Sequence, residues 1–156
     1  MTEPTSVFQI VIDDSKQPVE VNGEKCLYGI IRIGGFSERF IAPLEIWSVS
    51  DYKRQWKEGL TRFLDGALSS CMVTGMRDPL RGVFIDTWAL YVDHDNVVFQ
   101  NQILLCKKIR KRFSGNNFCD FIEPRETQTE DGSPISEWVV SRSAIVDFLE
   151  TLNETA

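Results

Sequence analysis

The chain has 156 residues, 42% of them hydrophobic, and a formal net charge of −6, so it can bury a core as one domain without a disulfide or a structural metal. Its N-terminal MTEPTSVFQ lacks the basic and apolar regions of a secretion signal, and no apolar run approaches the roughly 18 residues of a membrane span, so a soluble cytoplasmic protein is expected. Four scattered cysteines without a CxxC pair and a single histidine disfavour a zinc site and read as core thiols; no metal and no cofactor are expected.

VFQIVID, 7–13, is rich in β-branched residues, and LYGIIRIGGFSERFIAP, 27–43, reads as two strands turning at Gly34-Gly35. The period then changes. In 47–67 Tyr52, Trp56, Leu60, Phe63, Leu64 and Ala67 recur at helical spacing and form one apolar stripe. Ser48 with Asp51 makes a capping box, and Trp47 with Tyr52 a hydrophobic staple. SCMVTGM, 70–76, is a further strand, and VFIDTWALYV and NVVFQNQILLC form a hairpin across DHDN, 93–96. The cationic KKIRKR, 107–112, has no interleaved aromatics and reads as a solvated turn. FCDFIE, 118–123, and ISEWVV, 135–140, are expected as strands, and SRSAIVDFLETLNE as a closing helix capped by Ser141 or Ser143. The pattern predicts a single α+β domain over 1–156, mainly an antiparallel sheet of about 7–8 strands with two helices, about 48–66 and 142–153.

No phosphate-binding glycine loop, GxSxG or HExxH pattern is present. His94 in DHDN reads as a turn residue, and Cys71, with no other imidazole to activate it, as core. Asp86 interrupts an apolar strand, while Gln100 and Gln102 share one face of the next strand. These three either line a pocket or mark a wet face of the sheet.

The charge is uneven. Residues 120–156 hold nine acids against Arg125 and Arg142, a net of −7, leaving +1 for the rest of the chain. Such a surface attracts a basic protein and repels nucleic acid. Within it lies PRETQTEDGSPISEW, 124–138, an aperiodic stretch long enough to be unusual in a compact domain. Glu126, Glu130, Asp131 and Glu137, with Glu123 just before it, surround the single cation Arg125, and Asp131-Gly132-Ser133-Pro134 supplies turn chemistry.

The series LYGIIRIGGFSERFIAPLEIWSVSDYKRQW, DTWALYVDHDNVVFQNQ and FIEPRETQTEDGSPISEW resembles a family of small bacterial immunity proteins from contact-dependent growth inhibition systems, related to immunity proteins of polymorphic toxin loci. The resemblance spans most of the chain and carries no binding residue with it. It implies a non-enzymatic cytoplasmic protein that binds the toxic C-terminal domain of a large delivered protein, often a basic nuclease. On this reading the acidic surface steers the toxin domain and blocks its active site or nucleic-acid groove, with apolar anchors supplying affinity. The expected contact residues are Glu123, Arg125, Glu126, Glu130, Asp131 and Glu137, together with Asp86, Trp88 and Tyr91. Trp47, Trp56 and Trp138 are assigned to the core. The alternative is a small-molecule-binding or enzymatic α+β domain with its site around Asp86, Gln100 and Gln102.

Overall fold

The computed structural model describes residues 7–115 and 117–154; the reading of MTEPTS, 1–6, lies outside them. Strand β1 (Phe8–Ile12) alternates buried and exposed side chains, as a strand with one wet face must. β2 (Val19–Val21) turns into β3 (Glu24–Ile33) through Asn22-Gly23, both at positive φ, which the two-residue hairpin loop requires. β4 (Phe36–Pro43) follows the expected turn at Gly34-Gly35. β1 and β2 lie end to end along one edge of β3, and β4 pairs with the other, all antiparallel.

Helix α1 (Val49–Leu64) starts where its cap says it should. The Asp51 amide donates to Ser48 Oγ at 3.3 Å, and the Ser48 amide donates to the Asp51 carboxylate at 2.9 Å. Trp47 meets Tyr52 edge to face at 5.2 Å, completing the staple. The stripe faces inward, with Tyr52, Trp56, Leu60 and Phe63 buried.

A second sheet has the order β5 (Ser69–Gly75), β6 (Phe84–Asp93), β7 (Asn96–Leu105), β8 (Trp138–Ser141), all antiparallel. The short helix α2 (Cys106–Ile109) takes up the start of KKIRKR, whose Lys107, Lys108, Arg110, Lys111 and Arg112 are exposed. α3 (Arg142–Glu154) follows β8 directly. The fold is therefore α+β, with eight antiparallel strands among the described residues, divided between two four-stranded sheets.

Two expected strands are corrected. FCDFIE forms a 3-10 turn, Phe118–Phe121: its aromatics stand three apart, Phe118 is fully buried, and the Asp120 amide returns to Asn117 O at 3.1 Å. Of ISEWVV, only the segment from Trp138 onward pairs in the sheet.

The core joins both sheets through Phe36, Trp88 and Trp138 and through Phe8, Phe99 and Phe148. α1 packs along β5, the open edge of the second sheet. There the Gln55 side chain donates to Cys71 O (3.1 Å) and accepts from the Val73 amide (2.6 Å), as another strand would. Trp56 Nε1 donates to Val73 O at 2.7 Å, and Ser70 Oγ to Gly59 O at 2.7 Å. The approach is so close that a Cβ at Gly59 would collide with the Cys71 carbonyl, which explains a glycine in the middle of a helix.

Candidate functional site

The acidic segment sits on the outer face of the second sheet. Cross-strand pairs fix which side chains lie beneath it: Thr87 opposes Gln102, Ala89 opposes Gln100, and Tyr91 opposes Val98, so these six share a face. Asp86 opposes Ile103 and Trp88 opposes Asn101, which puts Asp86 and Trp88 on the other side. The proposed Asp86, Gln100 and Gln102 pocket is thereby corrected, because a side-chain period of two separates Asp86 from both glutamines by the thickness of the sheet.

Gln100 and Gln102 instead fasten the acidic segment, 122–137. At its root the Tyr91 hydroxyl donates to Glu123 O (2.6 Å), the Glu123 amide donates to Gln102 Oε1 (3.2 Å), and Gln102 Nε2 contacts the Tyr91 hydroxyl. Burial pushes the Tyr91 phenol pKa up. Further along, the buried Gln100 donates through Nε2 to Glu126 O (2.9 Å) and to the Glu137 carboxylate (2.7 Å). Arg125 grips the same carboxylate with two nitrogens, at 2.8 and 2.9 Å. That guanidinium, and secondarily Gln100, hold the Glu137 carboxyl below its ordinary range.

Beyond this clamp the chain folds back on itself as a tongue. The Ile135 amide reaches Thr127 O (2.9 Å), Gln128 bridges to Pro134, and the Thr129 amide reaches Ser133 O (2.8 Å). Gly132 at positive φ closes the tip, where hydrogen bonds from Thr129 and Ser133 lower the Asp131 pKa. Glu123, Glu126, Glu130 and Asp131 are exposed, and no ion pair engages them among the described residues. Glu137 and Arg125 neutralise each other, so the tongue presents an outward acidic surface on a backbone that is already ordered.

The remaining expected contacts fare differently. Trp88, 1% exposed, belongs to the core between the sheets; Tyr91, 4% exposed, is held in the root of the tongue. Neither side chain is available as an apolar anchor, since both lie on β6 and are buried, Trp88 on its core face and Tyr91 on the face beneath the tongue. Asp86 pairs with Arg77 (3.1 Å), whose guanidinium also binds Glu24 (3.1 Å) and lies over the Phe84 ring, so it ties the first sheet to the second. A cavity of about 440 Å³ opens beside that link. Of the large tryptophans assigned to the core, Trp56 is fully buried, and Trp47 and Trp138 are partly buried against it. His94 is an exposed turn residue, and Cys71 is fully buried.

Sequence reasoning missed the clamp. Its one available signal was the pair of glutamines at alternate positions in an otherwise apolar strand, which means that something polar must cover them.

The family described as the CdiI N-terminal domain matches residues 42–148. The chain is 34% identical over 137 residues to the immunity protein CdiI of Enterobacter cloacae subsp. cloacae, covering 88% of this chain and 94% of that protein. It also resembles a chain in the solved CdiA-CT/CdiI toxin and immunity complex from Enterobacter cloacae, with a TM-score of 0.87 and 32% identity over 95% of this chain and 99% of the other.

Proposed function

The chain belongs to the CdiI immunity protein family, and from that premise we propose that it is a non-enzymatic inhibitor that binds the C-terminal toxin domain of its cognate CdiA protein in the cytoplasm. The toxin is a basic nuclease in this reading, and the tongue meets the surface where the phosphates of its nucleic acid would lie. One observation carries the proposal: Glu123, Glu126, Glu130 and Asp131 are exposed on a segment fastened to the sheet by Gln100, Gln102 and Tyr91 and closed on itself by Arg125–Glu137.

Fastening matters because a free acidic loop loses conformational entropy on binding, and an ordered one has already done so. The acids raise the association rate and select against partners of like charge. Affinity also needs desolvated apolar contact. Val139, 46% exposed and opposite Val98 beside the tongue, offers it where Trp88 and Tyr91 do not.

The test replaces Glu126, Glu130 and Asp131 together by lysine and compares the variant with a control carrying Asp147→Lys and Glu150→Lys on α3, which change net charge elsewhere. The tongue variant should remain folded, associate more slowly with the toxin domain, bind it more weakly and lose the salt dependence of the association rate. The control should retain most of the wild-type rate at moderate salt. Equal binding and equal protection of cells by wild type and the tongue variant would remove the tongue from the interface.

A further inference from the structure

Below the tongue's root lies a pair of thiols that the binding reading does not use. Cys71 on β5 and Cys119 in the 3-10 turn are 48 residues apart in sequence, yet their sulfurs approach to 2.7 Å. This is closer than van der Waals contact between non-bonded sulfurs. A movement of well under one ångström separates it from the roughly 2.0 Å of a disulfide bond. We propose that Cys71 and Cys119 are an oxidisable dithiol site, which a hydroperoxide converts to a disulfide that pins the root of the tongue to the edge strand of the second sheet.

The two thiols are not equivalent, and their surroundings assign their roles. Cys71 is fully buried, whereas Cys119 is partly exposed and is the sulfur that a small oxidant reaches first. The Ser70 hydroxyl lies 3.7 Å from the Cys119 sulfur, and the Arg62 guanidinium, paired with Asp120 at 3.1 Å, adds positive charge nearby. The hydrogen bond from Cys71, joined by these neighbours, lowers the Cys119 thiol to about 7, while burial raises Cys71 well above its ordinary value. Cys119 is thus the attacking sulfur and Cys71 the resolving one.

In the first step the Cys119 thiolate attacks one oxygen of hydrogen peroxide. The O–O bond breaks, the other oxygen leaves as hydroxide and takes up a proton to become water, and Cys119 becomes a sulfenic acid. Cys71 then attacks that sulfur. The S–O bond breaks as the S–S bond forms, and the departing hydroxyl leaves as water with the Cys71 proton. Overall, two thiols and one peroxide give one disulfide and two waters, with the two electrons passing from sulfur to oxygen. Cys26 and Cys106, also buried, have no sulfur partner among the described contacts and serve as internal controls.

This inference does not depend on the identity of the toxin. The full chain is treated with dilute hydrogen peroxide at neutral pH, then denatured, alkylated and mapped by mass spectrometry before and after dithiothreitol. The expected product has lost the mass of two hydrogens, carries alkyl groups on Cys26 and Cys106 only, and yields a linked peptide pair containing Cys71 and Cys119 that dithiothreitol separates. Its Tm should be higher by several degrees than that of the reduced protein, because the bridge restricts the unfolded chain. Cys119→Ser should abolish the mass loss, and the double variant Cys26→Ser, Cys106→Ser should retain it. Four alkylated cysteines after peroxide treatment, a bridge through Cys26 or Cys106, or a sulfinic acid on Cys119 with Cys71 still free would each overturn the proposal. The map on the unmutated chain decides the matter even if Cys119→Ser folds poorly.

Discussion

At the β5 edge, Gln55 reaches out of α1 and satisfies a carbonyl and an amide that no strand pairs with; two strands away, Gln100 reaches out of β7 and holds a carbonyl and a carboxylate of the tongue. Both glutamines are nearly inaccessible to solvent. What lies around them differs. Gln55 is flanked on its helix by Trp56, Leu60 and Phe63, all buried, whereas the sheet face beneath the tongue offers only Ala89, Tyr91 and Val98, with Ile122 packed against them. The same polar device therefore locks one element and tethers the other. From its buried contacts α1 is expected to open with global unfolding, and a tether held by hydrogen bonds and one ion pair to open locally. That contrast suits the proposed role of the tongue, in which it meets a partner while its scaffold stays fixed.

The contrast can be broken most forcefully at Trp56. Trp56→Ala removes a fully buried ring and orphans the Val73 carbonyl, and should lower the unfolding free energy by about 3–5 kcal/mol. Denaturant melts with unchanged slope would measure it, and a loss below about 1 kcal/mol would mean that the seam is not locked by apolar burial. Gln55→Ala leaves the Cys71 carbonyl and Val73 amide without their side-chain partner and should cost about 1–3 kcal/mol. Hydrogen exchange at the Val73 amide should then accelerate, and exchange as slow as in the wild type would show that α1 seals this edge without Gln55.

The smallest effect should come from the tongue, and it depends on pH. Glu137 is held below its ordinary pKa by Arg125 and then by Gln100, so its contribution to stability is present above the unfolded carboxylate value near 4.3 and is lost as pH falls through the folded value. Wild type should exceed Glu137→Gln by about 1 kcal/mol near neutrality, and the difference should shrink in strong acid. A difference independent of pH would assign the role of Glu137 to shape and not to charge.

Much of the fold was legible in the residues. Ser48, Asp51, Trp47 and Tyr52 define the start of α1 within one helical turn, and the turns at Gly34-Gly35 and at DHDN, 93–96, mark hairpins by their own backbone preferences. The clustering of acids in 120–156 and the unusual length of 124–138 likewise needed no coordinates to be noticed. These signals are local, set by groups a few residues apart, and local hydrogen bonding makes them reliable.

Other features were decided only when the chain closed on itself. Strand β6 is largely buried on both faces and β7 is buried over 97–100, with Asn101, Ile103 and Leu105 exposed beyond, so alternation along them could not say what each face meets. Parity placed Asp86 and Trp88 on one side, and the arrival of a segment twenty or more residues downstream made Gln100, Gln102 and Tyr91 into its clamp. The turn at Phe118–Phe121 and the meeting of Cys71 with Cys119 have the same origin. Side-chain chemistry is written in the sequence, but the partner that satisfies a buried polar group is fixed by packing between distant segments, and no local preference encodes it.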